Sequence, residues 1–300
     1  MGNLKDKFTF LQGGVFLGST DNYVDSWICI LGLPLDVTST FRPGSRFAPQ
    51  SIRSVSEVLE EFSPFLKRDL KEVAFCDLGD LELVPGRIRE NLTRIEEVAS
   101  EVWKDGKLLL SLGGEHLVSY PLIRAARSHY PELAVLHFDA HADLREEYQG
   151  EKYSHATVMR LVAEEIGPSH LYQLGIRSCT WEEWVYGSEN TNLFLDHIEL
   201  PLSRLLPELK GRPLYLTLDI DVVDPAYAPG TGTPEPGGCR PQDIFSALYL
   251  LKDAHIIGLD IVEVSPAYDM GNITSILAAK LVREAILAFG PSYQNKMHPY

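Results

Sequence analysis

The chain has 300 residues, 45% hydrophobic and 23% charged, the composition of an ordinary globular protein. No window approaches the roughly 18 apolar residues of a membrane span. The opening MGNLKDKFTF has no signal-peptide core, and Asp6 stands where a myristoylation site needs Ser or Thr. A formal charge of -15, from 42 acids against 27 bases, argues against a nucleic-acid partner, which calls for a basic face.

Eight apolar runs are expected to be strands. In chain order they start at Trp27 (WICILGL), Lys71 (KEVAFCDL), Lys107 (KLLLSL), Leu133 (LAVLHF), His170 (HLYQLGI), Asn192 (NLFLDH), Pro213 (PLYLTL) and His255 (HIIGLDIV). They are continuous more than alternating, as strands buried on both faces are. Helical patterns separate them over Pro49 to Phe62, Ile88 to Trp103, Tyr120 to His129, Thr157 to Ile166, Pro241 to Leu251 and Ser275 to Phe289, the last stopped by Gly290-Pro291. Alternation of this kind predicts an α/β fold of three αβα layers around a mostly parallel sheet of about eight strands, in a single domain over 1–300. Two stretches read as loops: the acidic Leu144 to Ser154 and the Pro/Gly-rich Val222 to Arg240. The polar tail after Pro291 is expected to be loose. Cys29, Cys76, Cys179 and Cys239 form no CxxC pair and read as buried free thiols in a reducing cytoplasm.

Polar residues gather where four of these strands run out. KLLLSL leads into GGEH, ending at His116; LAVLHF into Asp139-Ala-His141-Ala-Asp143; PLYLTL into Asp219-Ile-Asp221; HIIGLDIV into Glu263. In open α/β sheets, ligands bind beyond the carboxyl ends of the strands. Carboxylates so close raise one another's pKa unless positive charge lies between them. Two divalent cations would supply it, with His116, Asp139, His141, Asp143, Asp219 and Asp221 as ligands. An oxygen-rich set with imidazole suits Mn²⁺ best, with Ni, Co, Fe or Zn as alternatives. Asp224 reads as a turn former, and His137 as a supporting or core histidine rather than a ligand. A two-metal phosphoesterase would need basic residues to hold phosphate, which these motifs lack.

At GGEH (113–116), DAHAD (139–143), DIDVVDP (219–225) and VEVSPAYD (262–269) the chain resembles the arginase/agmatinase ureohydrolase family, over essentially its whole length from LPLDVTSTFRPGSRFAP onward. APGTGTPEPGG and VEVSPAYD are most similar to its bacterial agmatinase branch. The resemblance implies an arginase/deacetylase-like fold and two Mn²⁺. It puts His116 and Asp143 on the first ion and His141 and Asp221 on the second, with Asp139 and Asp219 shared. It assigns Glu263 to the guanidinium and His155, in SHATVMR, to proton transfer. The chain has GGEH where many relatives have GGDH, and Ala142 where Thr is common.

The implied reaction is hydrolysis of agmatine to putrescine and urea, a step of polyamine biosynthesis, by a hydroxide held at the two metals. Asp143 would orient it. The implied setting is cytoplasmic, the assembly a trimer or hexamer, and the partner a small cationic guanidino substrate. Aminopropylagmatine, guanidinobutyrate, arginine and free guanidine remain alternatives, as does a catalytically silent binding relative, although such relatives tend to lose ligands. For the substrate tail, Glu146, Glu147 and Glu151 suit a cation, whereas Arg145 and Lys152 would suit an acid.

Overall fold

In a computed structural model describing residues 4–291, a nine-stranded sheet carries two layers of helices. The strands are β1 (Phe10–Leu11), β2 (Ile28–Leu33), β5 (Phe75–Leu81), β6 (Leu108–Gly113), β7 (Ala134–Phe138), β8 (Leu171–Ile176), β9 (Asn192–Leu195), β10 (Leu214–Asp219) and β11 (Ile256–Val262). A separate two-stranded hairpin joins β3 (Phe62–Ser63) to β4 (Arg68–Asp69). The sheet order is β1-β5-β2-β6-β11-β10-β7-β8-β9, parallel throughout except for the short edge strand β1. All eight expected strands are present; β1 and the hairpin, two residues per strand, are too short to leave a periodic signal.

The helices are α1 (Leu4–Lys7), α2 (Ala48–Ser56), α3 (Ile88–Lys104), α4 (Ser119–His129), α5 (Val158–Ile166), α6 (Trp181–Asn190), α7 (Glu199–Leu209), α8 (Pro241–Leu250) and α9 (Ile273–Phe289). Side chains of α2, α7, α8 and α9 pack on one face of the sheet, and those of α3, α4 and α5 on the other. Successive strand residues feed the two cores in turn: Ile28 and Ile30 of β2 face the first, Cys29 and Leu31 the second. The expected helix from Pro49 ends at Ser56, six residues early. There the Ser56 hydroxyl donates to the Arg53 carbonyl and accepts from the Leu17 amide, closing the turn. Helices α6 and α7 were not expected; α7 contains Pro201 and Pro207, which read as breakers. Both long loops lack regular strands or helices over most of their length. The polar tail beyond Pro291 lies outside the described residues.

One feature of the sheet sits directly below the strand ends. Ser111 (β6), Asp260 (β11), Thr217 (β10), His137 (β7) and Gln173 (β8) lie side by side in one row across five neighbouring strands, and all five are fully buried. At the next level, the GGEH turn is pressed against the segment after β2. The Glu115 amide donates to the Leu35 carbonyl at 2.7 Å, and a Cβ on Gly114 would lie 1.9 Å from that same oxygen. Only glycine fits there, because the obstacle is backbone.

Gly114→Ala is therefore expected to destabilise the chain by about 3 kcal/mol, the scale of overpacking against a surface that cannot yield. The measurement is a urea midpoint at unchanged slope. An unchanged midpoint would mean the Leu35 segment moves aside freely.

Candidate metal centre

The four strands that supply the cluster are neighbours in the sheet, β6-β11-β10-β7, so their ends open on one place. His116 begins a 3-10 turn after β6, Asp139 follows β7 directly, Asp219 ends β10, and Asp221 lies in the turn behind it. Asp143 and Glu263 take left-handed backbone conformations, with φ of 53° and 62°. Left-handed backbone is unfavourable for residues with a Cβ and persists where surroundings enforce it. At Asp143 the enforcement is visible: its carbonyl accepts from the Met159 and Arg160 amides, tying it to the start of α5.

Nδ1 of His116 lies 3.1 Å from Asp139 Oδ2, 3.2 Å from Asp143 Oδ2 and 3.4 Å from Asp219 Oδ2, yet makes a directed hydrogen bond to none of them. On the other side, Nδ1 of His141 lies 3.0 Å from Asp221 Oδ2 and 3.6 Å from Asp139 Oδ1. Asp139 thus presents one oxygen to each histidine. The two groups of His and Asp ligand atoms form a buried pair of sites suited to two metal ions. His116, Asp139 and Asp221 are buried, while His141 keeps about a quarter of its side chain in solvent, 26%.

The titration behaviour says what the cluster lacks. Burial alone would lower the pKa of His116, but Asp139, Asp143 and Asp219 outweigh it and hold it well above the ordinary value. His141 is pushed up to about 12, its burial overcome by Asp221 and Asp139. Asp143 rises to about 7, through burial and then the charge of Asp139, and Asp219 is held well above the ordinary range by burial and then by Asp221 and Asp139. Positive charge is wanted at both points. A proton on Nδ1 can serve one oxygen at a time, whereas a dication would serve all of them.

The buried row beneath fixes the ligands' orientation. Tyr215 and Thr217 donate to the two oxygens of Asp260, each at 2.7 Å. With its proton so used, the Thr217 hydroxyl is left to accept from His116 Nε2 at 3.0 Å. That places the ring proton on Nε2 and turns the Nδ1 lone pair into the cluster. His137 lies within the first group of possible ligand atoms, but its ring is occupied as a supporting histidine's would be. Its Nδ1 accepts from Gln173 Nε2 at 3.1 Å and its Nε2 donates to Asp139 at 2.8 Å, so both nitrogens are engaged. Asp224 organises its loop as expected, accepting from the Ala226, Gly237 and Gly238 amides.

A cavity of about 280 Å³ opens over the cluster, lined among others by His155, Glu263, Arg145, Tyr148 and Glu183. Glu263 is buried, and its Oε1 accepts from the His116 amide at 2.7 Å. No lysine or arginine among the described residues pairs with it, and its pKa lies well above the ordinary range through burial and the nearby charge of Glu115. His155 is held down at about 4, by burial and then by the positive charge of His116 and His141.

Two expectations are corrected here. Glu146, Glu147 and Glu151 do not line this cavity; Glu146 turns to Arg160 at 3.0 Å, and Lys152 to Glu164 at 3.5 Å. The carboxylate that enters the wall is Glu183, whose oxygens accept from the Leu144 and Thr180 amides. Nor are all four thiols buried: Cys179 is exposed at the cavity and Cys239 is half-buried. Thr38, Glu115, Thr217, Asp260 and Gln173 went unrecognised as parts of the site. Only Glu115 carried a signal, as the departure in GGEH.

A model of the Arginase family matches residues 26–288. An agmatinase of Bacillus anthracis is 46% identical over 281 residues, 93% of this chain and 97% of the relative. One of Bacillus subtilis strain 168 is 44% identical over 282 residues with the same coverage. Among solved structures, the agmatine ureohydrolase of Thermoplasma volcanium aligns with a TM-score of 0.83 at 33% identity, covering 95% of this chain and 96% of that one. The proclavaminate amidino hydrolase of Streptomyces clavuligerus aligns at 0.84 and 30% identity, covering 93% and 98%. On sequence, on fold and on the pair of sites at its strand ends, the chain belongs to the arginase family.

Proposed function

We propose that the chain hydrolyses agmatine to putrescine and urea with two divalent metal ions, Mn²⁺ being the best match to its oxygen-rich, two-imidazole ligand set. The observation that carries this reading is the meeting of the His116 Nδ1 lone pair with three carboxylate oxygens, beside a buried glutamate with no basic partner. His116, Asp143, Asp139 and Asp219 would hold the first ion, and His141, Asp221 and the same two aspartates the second. The two-sided placement of Asp139 supports its sharing. Asp219 offers Oδ2 to the first position, while its Oδ1 accepts from the Asp221 amide at 2.8 Å. When bound, such a pair would lower the pKa of a water between the ions toward neutrality and so supply the nucleophile.

The chain's own groups do the rest. Glu263, buried in the cavity wall, receives the planar guanidinium through charge-assisted hydrogen bonds that fix its plane. Asp143 accepts a hydrogen bond from the attacking water and orients it. His155, neutral near pH 7, carries a proton to the departing amine. The unit of function is one domain over 1–300, in the cytoplasm, as a trimer or hexamer. No helix among the described residues is long and apolar enough to cross a membrane.

One observation favours a guanidino acid instead. Arg145 stands in the cavity wall, half-exposed, over the ring of Tyr148 at 4.7 Å and with its Nε 3.5 Å from Glu183. Urea release from agmatine, aminopropylagmatine, guanidinobutyrate, arginine and guanidine, with Mn²⁺ and with Ni²⁺, is expected to give the highest kcat/KM for agmatine. Faster turnover of guanidinobutyrate or arginine would replace the agmatine reading.

Glu263→Gln is expected to lower kcat/KM by about 100-fold, the worth of hydrogen bonds to a charged partner. A loss under threefold would remove Glu263 from guanidinium binding. Thr217→Val is expected to weaken metal binding by on the order of 10- to 100-fold, as loss of a ligand's supporting hydrogen bond does. Metal content after dialysis against buffered Mn²⁺ reads it directly, and full occupancy equal to the unaltered chain would contradict the orienting role.

A further inference from the structure

Thr38 lies in the segment between β2 and α2, and its hydroxyl joins two groups far away in sequence. Glu115 Oε2 accepts from both the amide and the hydroxyl of Thr38, each at 2.8 Å. The same hydroxyl oxygen accepts from the His155 amide at 3.0 Å and lies 3.2 Å from His155 Nδ1. A threonine hydroxyl has one proton and two lone pairs. With the proton given to Glu115 and one lone pair to the His155 amide, only a lone pair is left for the ring. Toward Thr38, the nearer of its two hydroxyl neighbours at 3.2 Å against 3.4 Å for Ser154 Oγ, Nδ1 is then the donor.

The ring has an aromatic neighbour as well. Tyr148 meets His155 edge-on, with ring centroids 5.7 Å apart and planes at 85°, and the Tyr148 hydroxyl lies 3.4 Å from Thr40 Oγ1. Two threonines of one short segment therefore hold the imidazole and its neighbour.

We propose that Thr38 is a positioning residue for the hydrolysis: it holds His155 as the Nδ1–H tautomer, so that Nε2 enters the reaction bare, as a proton acceptor. This rests on His155 acting in proton transfer, as put forward above. Hydrolysis forms a carbon–oxygen bond, breaks a carbon–nitrogen bond and moves both protons of one water onto the departing amine nitrogen. In the Nδ1–H tautomer, Nε2 takes up one of these protons and passes it on, and the ring ends as it began. In the Nε2–H tautomer the ring would have to give away a proton before it could receive one, and its Nδ1 would face the Thr38 oxygen, which has no proton to offer, with only the more distant Ser154 hydroxyl as donor. Glu115 thereby acts at one remove, by occupying the Thr38 proton.

The experiment uses Zn²⁺-loaded full chain with ¹⁵N-labelled histidine, the His155 signals being assigned by their loss in His155→Asn. The expected spectrum has a protonated Nδ1 and an unprotonated Nε2; the reverse pattern in the unaltered chain would overturn the proposal. Thr38→Val is expected to mix the tautomers and, with Mn²⁺ and agmatine, to lower kcat by at least about 10-fold, within the range for proton-transfer catalysis. KM should stay within about twofold and metal content should be unchanged, because neither guanidinium nor metal ligands are touched. Thr38→Ser keeps the hydroxyl and should restore both spectrum and kcat; failure of serine to rescue, or an unchanged kcat in the valine variant, would refute the role. If His155→Asn itself turns over agmatine at full rate, the proton-transfer reading fails, while the spectrum still decides the tautomer.

Discussion

Electrostatic repulsion among buried carboxylates is the constraint on which the rest of this molecule hangs. Asp139, Asp143, Asp219, Asp221 and Glu263 are all buried within one small region, and no lysine or arginine among the described residues forms an ion pair with any of them, although Arg145 stands in the cavity wall. Burial first, and then the like charge of neighbouring carboxylates, pushes Asp143, Asp219 and Glu263 toward the protonated form. Such a cluster is an expensive thing for a fold to hold unless it exists to receive cations. The cluster divides into converging aspartate oxygens beside His116 and His141, and a glutamate, Glu263, in the cavity wall.

Much of this was legible in the sequence, for a geometric reason. In a parallel sheet the carboxyl ends of the strands share an edge, so a polar residue just past an apolar run has a known destination. His116, Asp139, His141, Asp143, Asp219, Asp221 and Glu263 were found that way and meet as expected. The direction of a loop side chain has no such guide. Glu146, Glu147 and Glu151 supplied the right charge in the right loop, yet they face elsewhere, while Glu183 came from a helix that had not been anticipated. Thr38 was invisible because its partners are 77 and 117 residues away and the segment holding it has no periodicity.

The supporting residues were hidden for the opposite reason: each is a single polar letter inside an apolar run. Taken singly, Asp260 in HIIGLDIV or His137 in LAVLHF looks like an imperfection in a buried strand. Together, Ser111, Asp260, Thr217, His137 and Gln173 form a layer in which Asp260 governs the proton of Thr217, Thr217 that of His116, and Gln173 that of His137. His116 and Asp139 are oriented from below by hydrogen bonds and not by packing alone.

That layer also bears on how the sheet assembles. Strands buried on both faces are apolar at nearly every position, so sliding one past its neighbour by two residues would keep each side chain on its own face and leave hydrophobic burial almost unchanged. Hydrophobicity is therefore a poor guide to alignment in this sheet. A slip of β10 against β11 would leave Asp260 deep in the core without Tyr215 and Thr217, an uncompensated buried charge. The hydrogen bonds among Tyr215, Asp260, Thr217, His137 and Gln173 favour one alignment of β11, β10, β7 and β8. The same atoms that orient His116 and Asp139 thus also mark the register of the strands that carry them.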